Sequence, residues 1–381
     1  MRSYLALVVL GLAFDYAYSQ QSIEPECRCN LNNLWLDVYV VIDDSTKMGT
    51  SGLSQVASSV FSTLANSRVG SDYSDKRGAR VAVITYNENA YIRSNLSDLT
   101  SNQDLENVIS RLQVSKSDIS NIQTPLKLIN EMMGYKDGNG PKNNTMPVII
   151  MYAADYIDYD QPTANQLAYY LKENGVTIIT VANMDDSNKI MKLKALASEG
   201  YGFSLSDENL AAGIQKGLCD ANCFCPEGYH QFMYPENNTT RKFGSCIKAM
   251  FVERHWSEAR LTCQNRNQQG YLATEFSIEK ALFNQALFDG QLRNYHIGLH
   301  FVNGAYFWEQ KNGMPLLPLT KPLYQLDKFP GSNSLCVGNT VADNKKFESW
   351  KNENCYTDMK GAMCETVACD TENYCSNPFN R

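Results

Sequence analysis

The stretch "LWLDVYVVIDDSTKMGTSG", Leu34 to Gly52, sets two carboxylates and two hydroxyls directly after an apolar, β-branched run. The run reads as a buried strand. In open α/β sheets, ligands bind at the carboxyl ends of such strands. Asp43, Asp44, Ser45 and Thr46 are the oxygen donors that a hard divalent cation takes. Lys47 follows them, and lysine is a donor-only cation. At ~4 Å and an effective dielectric of ~20, two unit charges repel by roughly 4 kcal/mol, and a dication feels about twice that. The segment therefore has the layout of a cation site but the wrong charge inside it. A D-x-D phosphatase nucleophile is excluded, because Ser45 stands where the second acid is needed.

Few other residues offer reaction chemistry. The four histidines are His230, His255, His296 and His300, and none falls in an H-E-x-x-H motif. There is no G-x-S-x-G and no phosphate loop. An enzyme is not expected, and no cofactor is implied. The net charge of -7, with no basic block, argues against a nucleic-acid partner.

Cysteine use points to an oxidising compartment. There are twelve cysteines. Cys27 and Cys29 come early, and the other ten fall between Cys219 and Cys375. "MRSYLALVVLGLAFDYAYSQ" has a basic flank, an apolar core and a small-x-small pattern, so residues 1–19 read as a secretory signal peptide. No later stretch reaches the ~18 apolar residues of a membrane span. Sequons occur at Asn95, Asn143, Asn237 and Asn238, and the last two are adjacent, so one glycan is expected there. The expected product is a soluble, secreted glycoprotein. Its oligomeric state is not set by the sequence.

Elements alternate through the cysteine-free part. Strands are expected at Leu36–Ile42, Ala79–Tyr86, "PVIIMYA" and "VTIITVA", with a possible edge strand at "AYIRSNL". Helical patterns fall at Leu53–Ser67, Asp104–Leu112, Thr124–Met133, "TANQLAYYLKENG" and Asp207–Lys216. Such alternation implies a doubly wound, mostly parallel sheet. From Asp220 onward the chain is cysteine-dense and aromatic, with a short linker at 219–224 and a C-terminal tail at 367–381.

Residues 35–218 resemble the von Willebrand factor type A family. Its adhesion site is written D-x-S-x-S, and here Asp43 and Ser45 match while Lys47 replaces the second serine. The family's threonine loop is matched by "IQTPLKL", which puts Ile122 at the ligand position and Thr124 two residues later. The third ligand falls at Ala154 or Asp155. The resemblance therefore implies a degenerate metal site, with Lys47 neutralising the Asp43/Asp44 pair.

Residues 225–366 resemble the long form of the C-type lectin-like fold. "CPEGYHQF", "WSEARLTCQNRNQQGYLAT", "YHIGLHF" (with His296 in place of a tryptophan), "YFWEQKNGMP" and "SWKNENCYTDMKGAMCE" carry the likeness. The resemblance implies the bridges Cys225–Cys246, Cys263–Cys364 and Cys336–Cys355, leaving Cys369 with Cys375. The ends of a type A domain lie close together, so Cys27 and Cys29 can reach Cys219 and Cys223, in either pairing. A zinc site on those four is the rival reading. Calcium-dependent sugar binding needs carboxylates in the long loop and in W-N-D. Here the loop lacks them, and Asn352 and Glu353 are what remains of the second set. Tyr324, Phe329 and Tyr356 are the candidate aromatic anchors. Trp256, Trp308 and Trp350 are expected in the core.

The combination resembles secreted nematode C-type lectin-like proteins with a type A domain, a group linked with responses to microbes. It implies a recognition protein for glycan or extracellular protein ligands, working without calcium or magnesium. The alternative is a matrix or adhesion protein that engages other proteins through the type A domain.

Overall fold

The structure is a computed structural model that describes residues 24–70, 77–134, 144–159, 161–236, 239–288, 293–324, 333–341 and 348–375. The signal segment 1–19, Asn143, Asn237, Asn238 and Phe329 lie outside the described residues.

The first domain alternates strands and helices: β1 (Leu36–Asp43), α1 (Gly49–Leu64), β2 (Arg80–Tyr86), β3 (Ala90–Ser94), α2 (Asn102–Ile109), α3 (Gln123–Met133), β4 (Met146–Ala153), α4 (Ala164–Glu173), β5 (Thr177–Ala182), α5 (Ser187–Leu196), β6 (Gly202–Ser204) and α6 (Leu210–Ala221). The sheet order is β3-β2-β1-β4-β5-β6. Every neighbouring pair is parallel except β2 with β3. Helices cover both faces, so β1 is buried along its whole length. Val38, Val40 and Ile42 face one apolar cluster, and Tyr39 and Val41 face the other. Three of its helix starts, those of α2, α4 and α5, are capped by side chains. Ser101 caps α2, and Thr163 forms a capping box with Gln166 on α4.

Helices α5 and α6 and the short edge strand β6 depart from the sequence pattern. Helix α6 continues to Ala221, so Cys219 is helical and not part of a linker. Leu218 and Ala221 bury on the stripe begun by Leu210 and Ile214, which extends the helix past the expected end at Lys216. Helix α5, "SNKIMKLKAL", was not expected because its apolar residues are diluted by lysines. Leu193 and Leu196 nevertheless reach the core.

The second domain is a sheet wrapped by two helices: β7 (His230–Glu236), β8 (Thr239–His255), α7 (Trp256–Arg266), β9 (Tyr271–Leu272), α8 (Ile278–Ala286), β10 (Tyr295–Val302), β11 (Ala305–Trp308), β12 (Leu317–Pro318), β13 (Cys336–Val341), β14 (Glu348–Glu353) and β15 (Met359–Val367). Its core holds Phe288, Tyr295, Trp308 and Trp350.

Six disulfides are formed. Cys225–Cys246, Cys263–Cys364 and Cys336–Cys355 lie in the second domain, and Cys369–Cys375 closes the C-terminal loop. Cys27 joins Cys223, and Cys29 joins Cys219. Beside these two bridges, fully buried Trp35 ties the domains together. Its indole Nε1 donates to Asp370 O at 3.1 Å, and its ring packs on Phe224 and Tyr374 at 5.2 and 4.7 Å. Trp35 sits at the start of β1 and Asp43 at its end, roughly 26 Å apart at ~3.3 Å per residue. The strand-end face of the first domain therefore points away from the domain junction.

Candidate functional site

Two faces hold the candidate residues. The first is the strand end of β1. Asp43, Asp44 and Ser45 are buried there. Asp43 Oδ1 accepts the Ser45 amide at 2.9 Å. Its Oδ2 accepts the Ser120 hydroxyl at 2.6 Å and the Ala154 amide at 3.0 Å. Burial pushes the Asp43 carboxyl above its ordinary pKa, and these donors pull it partly back. Asp44 turns the other way. It accepts from Asn87 Nδ2 at 2.7 Å and from Arg93 Nη2 at 3.3 Å. Asp155 pairs with the Lys189 ammonium, and this hydrogen bond holds Lys189 above the usual lysine range.

The oxygens at this strand end do not make a shell for a divalent cation. The Ser45 and Tyr86 hydroxyls are buried beside the Asp43 carboxylate, and neither makes a hydrogen bond of full geometry. The oxygens gathered there are one carboxylate, Asp43, already accepting three hydrogen bonds, and the hydroxyls of Ser45, Ser120 and Tyr86. The neighbouring acids are engaged by Arg93 and Lys189. This set falls short of the near-octahedral oxygen shell that magnesium takes, so the residues do not fit the ion.

The second face lies where β13 and β14 pair, with Val337 opposite Asn352 and Cys336 opposite Glu353. Asn352 Nδ2 donates to Tyr306 Oη at 2.8 Å, and its Oδ1 is buried without a partner. Glu353 is held by the His296 Nδ1 and by the Lys360 ammonium. His296 Nε2 lies 2.7 Å from Arg254 O, so the ring is fixed from both sides. A carboxylate engaged in this way is not free for calcium, and Asn352 Oδ1 is left as a lone oxygen. Beyond Cys355 the chain makes a tight turn. Tyr356 N donates to Asn354 Oδ1 and Asn354 N to Asp358 Oδ2, both at 2.9 Å. The turn is pinned by Cys336–Cys355, and it leaves the Tyr356 side chain 71% exposed.

The von Willebrand factor type A domain model matches residues 37–217, and the C-type lectin domain model matches residues 252–366. The chain joins a von Willebrand factor type A domain to a C-type lectin domain. The C-type lectin domain-containing protein 160 of Caenorhabditis elegans is 27% identical over 378 residues, spanning 93% of this chain and 57% of that protein. The chain thus spans little more than half the length of this relative. Among solved structures, proximal thread matrix protein 1 from the mussel byssus is 17% identical with a TM-score of 0.43, covering 53% of this chain and 50% of that one. A calcium-dependent type II antifreeze protein, in its calcium-free form, is 21% identical with a TM-score of 0.29, covering 38% of this chain and all of the other. Type A and lectin domains are modules of ligand binding and adhesion. Six disulfides fit an extracellular protein, and among the described residues no helix is long and apolar enough to cross a membrane.

In the type A domain, the loop residue that reaches Asp43 is Ser120, two positions before Ile122. Ile122 itself is fully buried in the apolar cluster with Leu126 and Ile129. Thr124 bonds only its own turn, to Asn121 O at 3.0 Å. Lys47 is exposed and makes no ion pair among the described residues, so the cation that answers Asp44 is Arg93 and not Lys47. Sliding the threonine-loop register by two would have found Ser120. Arg93 and Lys189 carry no local signal, since the fold brings them from β3 and α5.

In the lectin domain, Tyr324 is half-buried and packs its ring on Trp350 at 5.6 Å. Of the described aromatic candidates, Tyr356 is the one held clear of the core. Asn95 lies just past β3, with its amide side chain 3.4 Å from Asp98 Oδ2.

Proposed function

We propose that this is a secreted recognition protein whose lectin domain binds a glycan or an extracellular protein surface without calcium or magnesium. Tyr356 is the anchor in this reading. The observation that carries it is the exposed ring on a turn locked by a disulfide and two hydrogen bonds. A rigid aromatic loses little entropy on binding, and it can stack on a sugar face or fill a protein pocket. Metal-free binding is supported by the engagement of Glu353, Asp44 and Asp155 with cations of the chain itself. Defence against microbes is the setting we attach to this reading, from the resemblance to secreted nematode lectin-like proteins.

The test is a panel of glycans and extracellular proteins probed with wild type and Tyr356→Ala. Loss of roughly 1–3 kcal/mol of affinity is expected for a stacked anchor. Unchanged binding by the variant would move the binding face elsewhere.

A further inference from the structure

The loop between β4 and α4 of the type A domain carries a tyrosine that neither candidate face uses. Tyr159 is 71% exposed and lies outside helix and strand. The chain just before it is anchored. Ile157 is bridged to Asn121, and the Asp158 carboxylate accepts the Ala164 amide at the start of α4, at 3.2 Å. The exposure of the phenol is therefore set by the fold.

The surroundings of the ring are acidic. In sequence, Asp155, Asp158 and Asp160 all stand within four residues of Tyr159. Asp186, the cap of α5, adds a further carboxylate around Lys189. Lys189 is the described cation that feels the Tyr159 phenol, and Asp155 already answers its charge. Carboxylates thus outnumber cations around this loop. The other exposed tyrosines lack the combination. Tyr169 and Tyr170 are held in α4 together with Lys172, and Tyr234 lies in β7. Tyr91 lies in β3 with the Arg93 guanidinium 5.5 Å from its ring, and Tyr356 is locked beside Cys355. An exposed phenol on an acidic, irregular loop suits an enzyme with a cationic cleft. A sulfuryl donor carries phosphates, so the transferase that holds it is positively charged there, and opposite charges steer the encounter.

We infer that Tyr159 is a site of tyrosine O-sulfation during secretion, an inference that rests on the extracellular part of the proposed function. The phenol oxygen attacks the sulfur of a phosphoadenylyl sulfate donor. The bond from that sulfur to the bridging phosphate oxygen breaks, and the phenol proton passes to a base of the transferase. The ester leaves a permanent negative charge at the end of the sheet that holds Asp43. In the test, the full chain is secreted from cultured animal cells fed labelled sulfate, beside a sulfated control protein. N-glycans are removed enzymatically, and the peptide holding Tyr159 is weighed by mass spectrometry under conditions that keep sulfate esters. It should carry the label, be heavier by one SO3 group and resist alkaline phosphatase. Chlorate, which blocks synthesis of the donor, should remove the group. Tyr159→Phe should abolish the label on this peptide, Tyr169→Phe should retain it, and Asp158→Asn should lower occupancy severalfold. An unmodified Tyr159 beside a sulfated control overturns the proposal, as does a phosphatase-sensitive group or a label that persists in Tyr159→Phe. Retention of the chain inside the cells overturns the extracellular reading instead. Purified chain incubated with a tyrosyl sulfotransferase and phosphoadenylyl sulfate then decides the site: transfer to Tyr159 upholds it, and no transfer overturns it.

Discussion

The Ser120 hydroxyl lies 2.6 Å from Asp43 Oδ2, and it joins the loop before α3 to the last residue of β1 at one end of the type A sheet. This bond, with the Ser45 and Ala154 amides, is what allows a carboxylate to stay buried there. Ser120→Ala should therefore cost about 1–3 kcal/mol, the penalty of leaving a buried acceptor short of a donor. Urea denaturation of the variant measures it. A change within error would mean that Asp43 does not depend on Ser120.

The type A site should not gain metal when Lys47 alone is changed. Lys47→Ser adds a hydroxyl, but Asp44 remains with Arg93 and Asp155 with Lys189. Magnesium should raise the melting temperature of neither wild type nor variant. Titration calorimetry that finds micromolar magnesium binding in Lys47→Ser would show that Lys47 was the sole obstacle.

Trp35 is expected to be the costliest single side chain at the domain junction. Trp35→Ala removes a fully buried indole, its bond to Asp370 O and its contacts with Phe224 and Tyr374. A loss of about 3–5 kcal/mol is expected from a large-to-small core change. Limited proteolysis should then cut the junction faster, and a cut after Cys223 should release the second domain without reduction, because Cys27–Cys223 and Cys29–Cys219 both lie on the N-terminal side of it. Equal resistance of variant and wild type would contradict this.

One buried ammonium is shared by two carboxylates. Lys280 Nζ lies 2.7 Å from Glu24 Oε2 and 2.9 Å from Glu365 Oε1. Burial pushes the Glu24 carboxyl up to about 7, whereas Lys280 and the hydroxyl and amide donors around Glu365 outweigh its burial and hold it below its ordinary value. The folded protein therefore holds the Glu24 proton more tightly than the unfolded chain does. The stability this contributes is complete below about 4.5 and is lost as pH rises through about 7. Glu24→Gln should flatten the melting temperature across that window. A wild-type slope retained in the variant would assign the pH dependence to another group.

Much of the fold was legible because its signals are local. The apolar run ending at Asp43 is continuous, as a strand buried on both faces requires. The cysteine spacings and the "WSEARLTC" and "CYTDMKGAMCE" segments are equally local. The lost information is long-range. Ser120 and Ile122 both sit beside the start of α3, and nothing in "SNIQTPLKL" says which one faces Asp43. The backbone path turns Ile122 into the core between the sheet and α3, which leaves the hydroxyl of Ser120 at the site. Lys47 is adjacent to the acids in sequence yet points to solvent, while Arg93 and Lys189 reach them through tertiary structure. The choice between two pairings for Cys27 and Cys29 likewise needed the relative placement of α6 and the N-terminal segment.

Recognition without a divalent cation is tested most directly by one comparison. A glycan array and a set of extracellular proteins are probed with the full chain in calcium and magnesium, and again in EDTA. The pattern and strength of binding should be the same in both, because Glu353 is held by His296 and Lys360 and the type A acids by Arg93 and Lys189. Binding that EDTA abolishes and calcium restores would contradict the account, and would mean that Asn352 Oδ1 and Glu353 are drawn to an ion.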